Sequence, residues 1–324
     1  MTNIFEKFNS LNVLIIGDVM IDSYIWGKIE RISPEAPVPV VRVIKKENRL
    51  GGAANVALNI QSLGASPYIC AVIGDDSDGE NFLSLLKAQG LSNEGLIKIK
   101  TRPTTVKTRI IAHNNQIARV DAETERNLSS SDTLLVLNKI KQIIANHRID
   151  AIIFEDYDKG LITEDLISNT VKLAKEMGII TVVDPKKRNF HAYKGVQLFK
   201  PNLKELREGL KIEIDPLNID QIEQAVERLK KQLGANTVIL TLSENGVYVS
   251  AASGNKHILA HKRNIADVSG AGDTVIATAA LCLAAGLNEF KTAEIANLAG
   301  GLVCEHVGVV PIDKVRLFKE SQTL

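Results

Sequence analysis

Val13-Leu14-Ile15-Ile16-Gly17 is a run of four branched apolar residues stopped by a glycine. A run with no polar alternation suits a strand covered on both faces, as at the centre of a parallel sheet. The same pattern returns at 68–74, 151–154, 179–183 and 237–242. Between these runs the apolar residues switch to helical spacing, at 53–63, 81–89, 163–177 and 219–233. Gly64, Gly90, Gly178 and Gly234 follow those stretches, where a glycine ends a helix. Strand and helix thus alternate as βαβ units. The expected fold is α/β, a doubly wound, mostly parallel sheet.

Two regions break the rhythm. Pro37-Val38-Pro39-Val40-Val41-Arg42-Val43 alternates with period two, and its prolines argue for an edge strand. Residues 104–111 and 116–121 are strand-like on either side of Asn114-Asn115, a hairpin signal. No helices separate these pieces, and each is too short for a core of its own. They are expected to form a small antiparallel β flap or lid, inserted at about 37–46 and 96–121 in a single domain spanning 1–324. An apolar outer face on such a flap would favour a homodimer.

Composition narrows the function. The 39 basic and 38 acidic residues leave a formal charge of +1, so neither nucleic acid nor a membrane surface is expected as a partner. Cys70, Cys282 and Cys304 are far apart, which argues against a disulfide framework or a structural zinc and for a reducing, cytoplasmic setting. No apolar run reaches the roughly 18 residues of a membrane span. The stretch from Met1 to Lys7 lacks the pattern of a signal peptide.

Four stretches could carry chemistry. Asp267-Val268-Ser269-Gly270-Ala271-Gly272-Asp273-Thr274 precedes an apolar helical segment, 275–285. Small residues at a helix mouth leave amide N–H groups uncovered, and the helix dipole favours an anion there. A carboxylate beside that hole, Asp273, suits a base that takes the proton from an attacking hydroxyl while the amides hold a phosphoryl group. The plain alternative is a tight turn and a capped helix. The stretch is neither a Walker P-loop nor a dinucleotide fingerprint, since it lacks GxxxxGK[ST] and has valine at 275 where a third glycine belongs. Leu50-Gly51-Gly52-Ala53-Ala54-Asn55 lets a ligand approach the backbone, with Asn55 offering a donor and an acceptor to sugar hydroxyls; a loop with a solvated asparagine reads equally well. Asn202 and Glu205, in Pro201-Asn202-Leu203-Lys204-Glu205, could meet one hydrated cation or simply cap a helix. Asp18 and Asp22 flank the exit of the first strand, where ligands bind in open α/β sheets, although turn chemistry would also explain Asp18. Lys107, Arg109, Arg119, Lys186, Lys187 and Arg188 are candidates for a sugar phosphate. The six histidines make no zinc spacing.

Taken in order, Gly51-Gly52-x-x-Asn55, Asn202-x-x-Glu205 and Gly270-Ala271-Gly272-Asp273 resemble the ribokinase (PfkB) family of sugar kinases over essentially the whole chain. Five further stretches resemble the members of that family that act on a heptose 7-phosphate. They are Gly17 to Asp22, Arg31 to Val40, Thr108-Arg109 through Asp121, Asp156-Tyr157-x-Lys159-Gly160, and Asp184-Pro185-Lys186. The resemblance implies ATP-dependent phosphorylation of the anomeric hydroxyl, giving the 1,7-bisphosphate used for ADP-heptose and the lipopolysaccharide core. Another sugar kinase of the family, or a sugar-binding regulator that kept the pocket, are the alternatives. The regulator would have lost the base or the anion hole, and both are present here.

The resemblance also implies residue roles. Asp273 would be the base, with the amides around Gly270, Ala271 and Gly272 as the anion hole. ATP would lie against Asn202, Lys204, Glu205, Ser243, Glu244 and Gly246, with Mg²⁺ held through water by Asn202 and Glu205. Asp22, Gly51, Gly52 and Asn55 would hold the sugar, and Arg109 and Lys186 its 7-phosphate. A K⁺ ion would sit near Asp267, Ser269 and the Val307-Gly308 region, with serine at 269 where threonine is common. Many relatives are fused to a nucleotidyltransferase. This chain has no HxGH-type sequence, so that activity is expected in a separate adenylyltransferase or outside the chain given.

Overall fold

The computed structural model describes residues 2–113 and 115–324. Met1 and Asn114, and with Asn114 half of the expected hairpin turn, lie outside the described residues. In chain order the first elements are α1 (Thr2–Lys7), β1 (Asn12–Gly17), β2 (Val19–Ile32), β3 (Pro39–Gly52), α2 (Ala53–Ser62), β4 (Ser66–Gly74) and α3 (Ser77–Ala88). Then come β5 (Leu96–Ile99), β6 (Val106–Ala112), β7 (Asn115–Ala122), α4 (Ser130–Asn146), β8 (Ala151–Glu155), α5 (Glu164–Met177), β9 (Ile180–Asp184) and β10 (Leu198–Phe199). The chain closes with α6 (Leu203–Leu210), α7 (Ile219–Leu233), β11 (Thr237–Thr241), β12 (Val247–Ala251), β13 (Gly254–Ile258), α8 (Ala271–Ala284), α9 (Glu289–Val303) and α10 (Lys314–Ser321).

Nine strands form one sheet in the order β13-β12-β11-β10-β9-β8-β1-β4-β5. Every pairing from β5 to β11 is parallel, and β12 and β13 close the far edge antiparallel. Val13 to Ile16 and Ala151 to Phe154 are fully buried, as the unbroken apolar runs require of strands covered on both faces. Gly178 and Gly234 end α5 and α7 with φ of 68° and 62°, the left-handed geometry expected of them. Among the described residues no helix is long and apolar enough to cross a membrane.

The flap is a second, four-stranded sheet in the order β3-β2-β6-β7. It differs from the expectation of 37–46 and 96–121 at both ends. β2 and β3 together bring in residues 19–32 and 39–52, whereas β5, at 96–99, pairs with β4 in the main sheet. Its β2–β3 and β6–β7 pairs are antiparallel and its central β2–β6 pair is parallel. The difference has a local cause. Asp22, Ser23, Lys28 and Glu30 interrupt the apolar pattern of β2, so a single strand reads as a turn followed by a polar loop. Its β2–β3 half leaves the core directly after β1 and returns directly into α2, so the two roots of that half lie at the carboxyl end of β1.

Candidate active site

The strands run outward from β1 in two directions, to β4 and β5 on one side and to β8 through β11 on the other. The crevice at this change of direction, outside the carboxyl ends of the strands, is where ligands bind in open α/β sheets. Asp18, just past β1, is 4% exposed and bridges it. Its Oδ2 accepts the N–H of Tyr157 and of Lys159, both at 3.0 Å, and its Oδ1 accepts the N–H of Leu161 at 3.3 Å. Burial lifts the Asp18 carboxyl above its ordinary range, and the three amides pull it back only in part. The loop after β8 is thereby fixed to the end of β1.

α8 opens onto the same crevice. Gly270 precedes it with φ 78°, a left-handed conformation that favours glycine, and no side chain caps this helix. A Cβ at Gly270 would stand 3.1 Å from Asn55 Nδ2 and 3.0 Å from Val309. The Ala271 amide donates to Val268 O at 3.3 Å, while those of Gly272 and Asp273 are first-turn amides without a helical acceptor. Asp273, 8% exposed, receives a donor on each oxygen. Asn55 Nδ2 donates to Oδ2 at 2.5 Å, and Tyr157 Oη donates to Oδ1 at 3.1 Å. Burial is the main reason that the Asp273 carboxyl is pushed up to about 6; Asp184 adds to the rise, and the bonds from Asn55 and Tyr157 oppose it.

Two further carboxylates face Asp273. Glu155 ends β8 and Asp184 ends β9, and one oxygen from each of the three lies within 4.8 Å of the others. Lys200 Nζ meets Asp184 at 2.8 Å, both groups being buried. Burial works against the Lys200 ammonium, but Asp184 and Glu205 more than offset it and its pKa rises. Burial, then Asp184 and Asp273, hold the Glu155 carboxyl well above its usual range. Glu155 Oε2 and Asn55 Oδ1 are buried without a hydrogen-bond partner among the described residues.

The residues read from the sequence separate into two groups around this centre. On the flap side, Asp22 on β2 pairs with Arg109 on β6. A Cβ at Gly51 would collide with Asp22 Oδ2, and Gly52 leads into α2, which carries Asn55. On the other side Asn202 and Glu205 form a complete capping box for α6: Asn202 Oδ1 accepts the Glu205 N–H and Glu205 Oε2 accepts the Asn202 N–H, both at 2.8 Å. Glu205 Oε1 also accepts from Lys186 Nζ at 2.5 Å. The turn holding Ser243, Glu244 and Gly246 follows β11, whose Thr241 bridges to Asn202, so these residues share one rim.

Lys186 therefore stands with Glu205, its ammonium 5.6 Å from the Tyr157 ring centre, whereas Arg109 belongs to the flap with Asp22. Among the described residues Lys204 reaches only Glu208, at 3.9 Å, and its side chain is 83% exposed. Lys107 is taken up by Glu123 and Asp121, and Arg119 by Asp121. Asp267 ties two loops together: its Oδ1 accepts from Ser269 N and Oγ, at 3.0 and 2.8 Å, and its Oδ2 from Gly308 N at 2.9 Å. Glu155, Asp184, Lys200 and the Tyr157 hydroxyl were not picked out as site residues from the sequence. The rule that singled out Asp18, a carboxylate at the carboxyl end of a strand, also selects Glu155 and Asp184.

A mostly parallel sheet with a root-anchored flap, and an uncapped helix mouth beside a buried aspartate, is the architecture of a ribokinase-like kinase. Solved structures agree on the fold. Phosphofructokinase-2 from Escherichia coli in complex with potassium superposes with a TM-score of 0.78 at 18% identity, covering 97% of this chain and 98% of that one. Arabidopsis thaliana ribokinase complexed with ribose and ATP gives 0.72 at 17% identity, covering 95% and 99%. The profile of the pfkB family carbohydrate kinases matches residues 10–314. The chain belongs to that family. Its curated relatives include the bifunctional protein HldE of Methylobacillus flagellatus, 39% identical over 96% of this chain and 63% of that protein. The bifunctional protein HldE of Campylobacter jejuni is 40% identical over 95% and 64%. The chain thus spans a little under two thirds of the length of these relatives.

Proposed function

We propose that the protein transfers the γ-phosphoryl group of ATP to the anomeric hydroxyl of D-glycero-β-D-manno-heptose 7-phosphate, giving the 1,7-bisphosphate for ADP-heptose synthesis. The observation that carries this reading is Asp273, buried at the uncapped mouth of α8 and held through both oxygens by Asn55 and Tyr157. The similarity to the relatives named bifunctional protein HldE, together with the heptose-kinase stretches of the sequence, supports this choice of substrate.

In the proposed reaction, Asp273 takes the proton of the anomeric hydroxyl as that oxygen bonds to the γ-phosphorus and the bond to the β-phosphate oxygen breaks, releasing ADP. The first-turn amides of α8 face the phosphoryl oxygens, whose charge suits a helix N-terminus. Asn55 Oδ1, an acceptor with no donor among the described residues, suits a sugar hydroxyl. Asp22, Gly51 and Gly52 line the same side, with Arg109 offered to the 7-phosphate. Lys186, beside Glu205, suits the phosphates of ATP better than that of the sugar.

Asn202, Lys204, Glu205, Ser243, Glu244 and Gly246 remain the proposed nucleotide rim. Each Glu205 oxygen already accepts one hydrogen bond and keeps another lone pair, which fits a hold on Mg²⁺ through water rather than directly. Bound there, Mg²⁺ would neutralise phosphate charge. A K⁺ ion by Asp267 and Ser269, a homodimer and a single kinase domain over 1–324 complete the proposal.

The test is ATP consumption, coupled to ADP detection, with heptose 7-phosphate, fructose 6-phosphate, ribose and adenosine offered in turn. Turnover with heptose 7-phosphate is expected. Turnover only with ribose or adenosine rejects the heptose assignment.

A further inference from the structure

We infer that Tyr157 is a positioning residue that aims the proposed base, Asp273, at the acceptor hydroxyl. The inference rests on the kinase reading above and adds a residue to it. Tyr157 Oη donates to Asp273 Oδ1 at 3.1 Å while Asn55 Nδ2 donates to Oδ2 at 2.5 Å. A carboxylate held from both ends cannot rotate without breaking one bond, so its remaining lone pairs point in one fixed direction.

Tyr157 is itself immobilised from several sides. Its backbone N–H is bound by Asp18 Oδ2, and Asp158, which follows it, takes φ 56° and turns the chain away. The N–H of Asp156 donates to Asp184 O at 3.2 Å, and the Lys186 ammonium lies 5.6 Å from the Tyr157 ring centre. One phenol therefore connects the end of β1, through Asp18, to the carboxylate at the mouth of α8. Burial, followed by Asp273, Glu155 and Asp184, raises the phenol well above its ordinary range, so it remains a donor at every working pH. The ring could pack as phenylalanine; only the hydroxyl reaches Asp273.

The groups facing Asp273 are Glu155 from β8, Asp184 from β9, Lys200 from beyond β10 and Tyr157 from the loop after β8. α2 presents neutral Asn55, and α9 meets α8 through Gly300 against Val275. A donor to the ionised carboxylate lowers its pKa, and its removal raises it. Asp156 is also pushed up to about 6, by burial and then Asp18, so the wild-type acid limb fits either carboxylate. A displacement of that limb on removing the Tyr157 hydroxyl separates the two.

The experiment measures kcat against pH, with saturating ATP and heptose 7-phosphate, for wild type, Tyr157→Phe and Asp273→Asn. Tyr157→Phe is expected to lower kcat by about tenfold and to move the acid limb up by about one pH unit. Its KM for ATP and its thermal unfolding midpoint should match wild type. An unmoved acid limb overturns the inference, whether kcat falls or not, because a merely structural role would leave it in place. Wild-type protein that turns over none of the sugars, or full activity in Asp273→Asn, refutes the kinase reading instead.

Discussion

Two helices, α6 and α8, begin at the rim of the crevice and are finished in opposite ways. α6 closes its first turn with its own side chains, Asn202 and Glu205 each serving the other's backbone. α8 starts from a left-handed glycine with no side-chain cap, and the acid in its first turn, Asp273, is bonded to Asn55 and Tyr157 instead of its own helix. The same dipole thus serves two ends. A capped mouth satisfies its own amides and holds its side chains still, whereas an open mouth leaves amides available to an anion.

The comparison can be broken most sharply at Asp273. Asp273→Asn should cost about 10² to 10⁴ in kcat and leave ATP binding in place, as titration calorimetry with ATP would record. Next in size, Gly270→Ala forces a left-handed alanine at a cost of about 1–2 kcal/mol in denaturant unfolding. Its Cβ, 3.1 Å from Asn55 Nδ2, should disturb the hold on Asp273 and lower kcat between about 10- and 100-fold. Acidification sharpens the same point: with the Asp273 carboxyl at about 6, the ionised form that accepts a proton is lost below that pH. kcat should then fall by about tenfold per pH unit, while a flat profile down to pH 5 would dissociate Asp273 from the limb.

The capped mouth predicts a milder response. Asn202→Ala should lose about 1 kcal/mol of stability and raise the KM for ATP, with kcat falling less than in Gly270→Ala. The smallest effect is expected at Lys204→Ala, since that side chain reaches only Glu208 and solvent. A marked rise in the KM for ATP there would restore Lys204 to the nucleotide rim.

The main sheet was legible because strands buried on both faces leave unbroken apolar runs, as at 13–17 and 151–154, and because glycines mark the helix ends. β2 was not, since Asp22, Ser23, Lys28, Glu30 and Arg31 break its apolar pattern and its second half is largely exposed, and its parallel partner β6 is remote in the sequence. For the candidate site, Asp273, Asn55, Asn202 and Glu205 sit in short local patterns that a reader can find. The bond from Tyr157 to Asp273 spans 116 residues and leaves no periodicity to read. The pairing of Lys186 with Glu205 is similar: a basic residue beside a strand end announces an anion, but not which one.

The carboxylate of Asp18 has a consequence beyond the chemistry. By holding the amides of Tyr157, Lys159 and Leu161 against the end of β1, it makes the loop after β8 part of the sheet's own cooperative unit. Loops at binding crevices ordinarily open at little cost, and their amides exchange quickly. These three amides should instead exchange with deuterium as slowly as the centre of β1, opening only when the sheet itself comes apart.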